Sequence, residues 1–98
     1  MKNQMIKLMH MLESANISFA TEIDGFGDLH IMYPGDWDHG CKCSVVCNDC
    51  SYGHELGLLE IMGLLTSEEK KFDDVVGYLT AKEVFERIYR EDSMYDRR

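Results

Sequence analysis

Cys41-Lys42-Cys43-Ser44-Val45-Val46-Cys47-Asn48-Asp49-Cys50 holds every cysteine of the chain, and the architecture turns on what gathers them. As metal ligands, the four thiols would make this loop the nucleus of the fold, arranged around a tetrahedral zinc ion. Otherwise the stretch divides into a strand, Lys42 to Cys47 centred on Val45 and Val46, with a turn on either side. Cys47-Asn48-Asp49-Cys50 suits zinc, because a tight turn presents two thiolates to one ion. Cys41-Lys42-Cys43 suits it less well: alternate residues of a strand point the same way but stand roughly 6.6 Å apart at 3.3 Å per residue. Cys41, Cys43, Cys47 and Cys50 are therefore candidate zinc ligands, with His39 and His54 as substitutes for one thiol. Cys43 and Cys47 equally suit the role of small buried apolar groups on the strand.

Outward from this stretch the period of the apolar residues changes. Upstream, Met5, Leu8, Met9 and Leu12 recur at helical spacing, so Lys2 to Ala15 is predicted to be an amphipathic helix. Asn16 tolerates the left-handed conformation that ends helices. Ile17 to Ile23 alternates apolar and polar residues, the period of a half-buried strand. Asp24-Gly25-Phe26-Gly27-Asp28 is a turn, and Leu29 to Tyr33 is a second strand stopped by Pro34-Gly35. With Lys42 to Cys47 as the third strand, an antiparallel meander is the simplest connection.

Downstream, Leu58, Ile61, Met62 and Leu65 fit helical spacing, while Leu56, Leu58, Met62 and Leu64 fit alternation; a short buried helix is expected over 56–65. Thr66 or Ser67 can cap a brief turn, and Val75 to Leu79 is a strand or an extended connector. Thr80-Ala81-Lys82-Glu83 is a capping box, with Leu79 placed to staple onto Val84, so the last helix opens at Thr80 and carries Ala81, Val84, Phe85, Ile88 and Tyr89 as its apolar stripe. The segment from Asp92 to Arg98 lacks that period and is expected to fray. The predicted fold class is α+β in a single domain over residues 1–98: an N-terminal helix, a three-stranded antiparallel sheet, then C-terminal helices packed on one face.

Charge narrows the functional classes. The net charge is −8, and the segment from Glu22 to Glu69 holds ten acids against the single base Lys42, so the acidity lies between two nearly neutral ends. Such a chain does not bind nucleic acid through its phosphates, since that affinity comes from Lys and Arg displacing counterions. Lys7, His10 and Glu13 interrupt the apolar amino terminus before a signal core forms, and the run from Leu56 to Leu65 is too short to span a membrane. The expected location is the cytoplasm, where clustered cysteines are thiols or metal ligands.

Catalytic signatures are absent from the pattern. Cys47 or Cys50 with His54 lacks the context of an activated nucleophile, and Gly25-Phe26-Gly27 and Ser51-Tyr52-Gly53 lack the lysine and glycine spacing of a phosphate loop. The expectation is a binding protein and not an enzyme. Asp24, Asp28, Asp36, Asp38, Asp49 and Glu55 fall in hairpin tips and loops, with Trp37 and Tyr52 among them, and form a candidate acidic patch that steers a basic partner surface.

Tyr33-Pro34, Ser51-Tyr52-Gly53, the run from Gly57 to Leu65 and Tyr78-Leu79-Thr80-Ala81-Lys82-Glu83-Val84-Phe85-Glu86-Arg87-Ile88 together resemble short proteins encoded by phages and prophages of Gram-positive gut bacteria. The resemblance spans the C-terminal two-thirds of the chain and implies origin more than mechanism. Small acidic phage proteins of this kind act by occupying a host protein, as DNA-imitating inhibitors of CRISPR nucleases do. The resemblance therefore implies an anti-defence protein of the host cytoplasm, binding a basic surface such as that of a CRISPR nuclease; the sequence leaves the oligomeric state open, a homodimer included. Two alternatives come from other classes: a zinc-stabilised phage assembly or regulatory module, and a sponge for a nucleotide immune signal using Arg87 and Arg90.

Overall fold

A computed structural model of the chain describes residues 4–95. The elements run α1 (Met5–Ser14), β1 (Ala20–Ile23), β2 (Leu29–Tyr33), β3 (Cys43–Val46), β4 (Leu59–Met62), α2 (Ser67–Lys70), β5 (Val75–Leu79) and α3 (Ala81–Tyr95). The strands form one sheet in the order β1-β2-β3-β4-β5, every neighbouring pair antiparallel. The fold is α+β with a helix at each end of the chain, as expected, but the meander has five strands where the sequence pattern predicted three.

The two additional strands have identifiable causes. Leu59 and Ile61 point toward the helices and are fully buried, while Glu60 and Met62 point to the opposite face, so Leu59–Met62 is a strand inside the 56–65 segment where a helix was expected. A helix is also stopped at both ends, because Gly57 and Gly63 adopt φ of 71° and 98°. Gly63 has a second constraint: a Cβ there would sit 2.0 Å from the Lys42 carbonyl oxygen. β5 pairs Leu79 with Leu59 but Val76 with Ile61, so it contains one extra residue. Tyr78, at φ 59°, takes up that bulge and returns Leu79 to the core.

α1 and α3 lie on one face of the sheet. They run in the same direction: Gln4 beside the start of α1 accepts the Ala81 amide at the start of α3, while at the other end of the sheet Ser18, beyond α1, donates to the Pro34 carbonyl and Asp92 of α3 accepts the Tyr33 hydroxyl. Ile31, Val45 and Ile61 pair across β2, β3 and β4 and form a fully buried row beneath the helices, joined by Met5, Leu8, Leu12, Val84 and Ile88. Val45, the middle of the cysteine-rich stretch, is thus the middle of the sheet.

Helix ends follow their sequence signals. Asn16 is left-handed at φ 58°, and the amides of Asn16 and Ile17 donate to Glu13 and Leu12, a Schellman closure with Ile17 and Leu12 both in the core. The Thr80 and Glu83 capping box forms in both directions, and Thr66 with Glu69 makes a second one on α2. α3 continues through Tyr95, into the segment expected to fray; residues 96–98, like Lys2, lie outside the described residues. Among the described residues no helix is long and apolar enough to cross a membrane.

Candidate functional site

The meander sorts the loops to two ends of the sheet. The β1–β2 turn and the 47–58 connection lie at one end, together with the starts of α1 and α3; the 34–42 and 63–74 connections lie at the other. Asp24, Asp28, Asp49, Tyr52 and Glu55 therefore share the first end, and Asp36, Trp37 and Asp38 occupy the opposite one. The eight candidate partner-binding residues do not form one patch. Sequence proximity of charge cannot reveal this, because each strand traversed moves the next loop to the far end.

The first end is built by interlocked turns. Asp24 Oδ1 accepts from the amides of Phe26 and Asp28, and its Oδ2 accepts from Asn48 Nδ2 at 3.0 Å, so one carboxylate closes the hairpin and ties it to the 47–58 loop. The Asn48 side chain lowers the Asp24 carboxyl below its ordinary range. Asn48 is held in turn by Ser51, whose hydroxyl accepts the Asn48 amide and donates to its carbonyl. The far side of the loop docks on the β5 bulge: the Tyr78 amide donates to the Tyr52 carbonyl, and its hydroxyl donates to Glu55 at 3.0 Å. Gly77 is required here, since a Cβ would meet Tyr52 at 2.2 Å. Between the two loops lies a polar cleft of about 220 Å³ lined by Asp28, Cys47, Asn48, Asp49, His54, Glu55 and Gly57. Neither loop contains a lysine or arginine.

At the opposite end, acids meet bases. Glu69 makes a two-pronged ion pair with Arg87 at 2.7 and 2.6 Å, and Arg87 also donates to the Leu64 carbonyl. The guanidinium brings the Glu69 carboxyl down to about 2. Lys42 pairs with Glu91, and the Tyr33 hydroxyl donates to Asp92. Asp36 accepts from His39 and from the Asp38 amide, which closes the 3-10 turn Trp37–His39; Trp37 is exposed.

The four cysteines are not brought together. Cys43 and Cys47 face the helices with Val45 between them, Cys41 is half-buried, and Cys50 is exposed in the loop. Among the described residues no group of three or more His, Cys, Asp and Glu side chains could hold a metal ion. Burial pushes the Cys43 thiol up to about 12. Burial, with the nearby Asp28 charge, also raises the Cys47 thiol, the reverse of an activated nucleophile. Arg87 is committed to Glu69, which removes one of the two cations a nucleotide pocket would use.

A constellation that the sequence did not single out lies on the sheet face away from the helices. His30 Nε2 is 2.6 Å from Ser44 Oγ, and its Nδ1 is 3.2 Å from Glu22 Oε1. With the proton on Nδ1 this is a serine–histidine–carboxylate order. Ser44 and His30 are both buried, and β3 is flanked by β2 and β4, which commits its amides to the ladders instead of an oxyanion. The trio satisfies a buried imidazole. The register Glu22↔His30 across β1 and β2 is the signal that could have found it.

No protein-family model, curated protein or solved structure matches the chain.

Proposed function

We propose that the protein is a non-enzymatic, acidic docking module whose loop end occupies the nucleic-acid-binding surface of another protein. In its most concrete form the target is a CRISPR nuclease complex in a bacterial cytoplasm, blocked by a phage-encoded inhibitor. The observation that carries this reading is the gathering of Asp28, Asp49 and Glu55 around one cleft, in two loops without a lysine or arginine. Such an end offers a basic groove what a phosphate backbone offers, a run of fixed negative charge that releases bound counterions and raises the encounter rate. Tyr52, 53% exposed beside it, supplies an aromatic anchor. The motif resemblance to phage proteins supports the choice of target class.

The test is competition for labelled DNA by a guide-loaded CRISPR nuclease, read by anisotropy and repeated at raised salt. Asp24 is left intact because it closes the hairpin. D28N/D49N/E55Q is expected to weaken competition about 10- to 100-fold, at about 0.5–1 kcal/mol per exposed charge, while D36N/D38N changes it less than about threefold. Equal competition by the loop-end variant and the native protein overturns the reading, as does absence of competition by the native protein.

A further inference from the structure

The sheet ends differently at its two outer strands, β1 and β5. A sheet edge presents a row of unpaired N–H and C=O groups that matches the edge of another strand. At β5 the row is interrupted: the bulge at Tyr78 breaks its period, and the Tyr52 carbonyl takes the Tyr78 amide. β1, Ala20-Thr21-Glu22-Ile23, contains no proline, lysine or bulge. The phase of its ladder follows from the Asp24 amide, which donates to the Asp28 carbonyl. Bonds between antiparallel strands recur at every second residue, so Ala20 and Glu22 bond to β2, while Thr21 and Ile23 turn their N–H and C=O groups outward. Ile23 lies on the helix side opposite Leu29, yet it is 66% exposed, because α1 packs chiefly over β2.

We propose that β1 pairs antiparallel with β1 of a second copy about a two-fold axis through Thr21, joining two five-stranded sheets into one. Residues directly opposite across such a ladder lie on the same face of the sheet. With the axis at Thr21, the outward groups of Thr21 meet those of its own counterpart as a hydrogen-bonded pair. Ile23 meets Phe19 on both sides of the axis, which extends the ladder one residue beyond Ala20. Phe19 already packs on the core from the helix side, so the exposed Ile23 receives an apolar neighbour. Glu22, the one charge of the strand, faces Ala20 and keeps its contact with His30; Asp24 faces Ser18. Along the contact no two acids meet, which pairing of chains of net charge −8 requires. The neighbouring registers fail. An axis at Glu22 sets two carboxylates directly opposite each other, and an axis at Ala20 sets Ile23 against Ile17, whose amide is committed to the Leu12 carbonyl.

The experiment is light scattering after size exclusion, over a dilution series downward from roughly 100 µM, where even a micromolar dimer is populated. At the upper end the native chain is expected at twice the monomer mass. Thr21→Lys and Thr21→Glu each set like charges against each other on the axis, and each is expected to raise the dissociation constant at least about tenfold. Mixed in equal amounts, the two variants are expected to return to within about threefold of the native constant, because a lysine then faces a glutamate. Only a register through residue 21 gives that recovery. Thr21→Pro removes an outward N–H and no bond to β2, and is expected to be monomeric. Thr21 is exposed, so unchanged circular dichroism spectra confirm that each variant folds. A native monomer, charged variants with the native constant, or a mixture no tighter than its components overturns the proposal. Thr21 lies outside the acidic cleft, so nuclease competition succeeds or fails independently of this result.

Discussion

The two ends of the sheet are both rich in carboxylates, and they use them differently. At the end of the 34–42 and 63–74 connections, Glu69 and Glu91 are paired with Arg87 and Lys42, and Asp92 is bound by the Tyr33 hydroxyl. At the end of the β1–β2 turn, Asp28, Asp49 and Glu55 surround a cleft whose two loops contain no lysine or arginine. One end pairs its charges with bases, whereas the other holds Asp24 and Glu55 through the uncharged donors Asn48 and Tyr78. Net charge alone, −8 over the chain, does not distinguish these cases. What distinguishes them is whether the topology brings a lysine or arginine into an ion pair with the acids of that end.

The largest test of this contrast acts through the backbone. Gly63→Ala places a Cβ against the Lys42 carbonyl in the left-handed region and is expected to destabilise the fold by about 3–4 kcal/mol. Gly25→Ala, at the tip of the acidic end where an added Cβ meets nothing within 4 Å, is expected to change stability by less than about 0.5 kcal/mol. Urea unfolding of the two variants measures the difference, and equal losses would remove the distinction between a closing end and an open one.

The Glu69–Arg87 pair gives an intermediate effect with a defined pH signature. The folded carboxyl titrates at about 2 against an ordinary 4.5, so its stabilisation is complete above the ordinary value and is lost as pH falls from 4.5 through 2. Glu69→Gln is expected to lower stability by about 1–2 kcal/mol at neutral pH. It should also flatten the decline of stability between pH 4.5 and 2, measured by urea unfolding across that range. A slope identical to that of the native protein would mean that the pair does not contribute.

The smallest effect has the opposite sign. D28N/D49N removes like charges from the open end and is expected to raise stability by about 0.5 kcal/mol at low salt, and by less when salt screens the repulsion. A loss of stability in the same melting experiment would show that these carboxylates support the fold after all.

Much of the fold was legible where a local signal coincided with a tertiary one. The α1 stripe, the Asn16 stop, the Asp24–Asp28 turn and the Thr80–Glu83 cap are each determined by neighbours within a few residues. Residues 56–65 were not legible in this way, because the apolar residues fit both periods, with Leu58 and Met62 common to the two. Gly57 and Gly63 decide the matter only through the conformations they adopt and through the approach of Lys42. The candidate site was half legible: its residue types were apparent, and the expected meander of the first three strands already sends 24–28 and 47–58 to one end and 34–42 to the other, but the run of charge along the chain does not show that division. The Glu22–His30–Ser44 trio was hidden because its members meet only through pairing register.

By itself, then, the chain determined its helix ends, its acidic middle and a strand through Val45, since these rest on local chemistry that travels with the sequence. Tertiary structure alone decided the fate of the cysteines. Once β3 takes a central place, the pleat turns Cys43 and Cys47 into the core and leaves Cys50 in the loop beyond it, because alternate residues on a strand must share a face whatever ligand spacing they spell out.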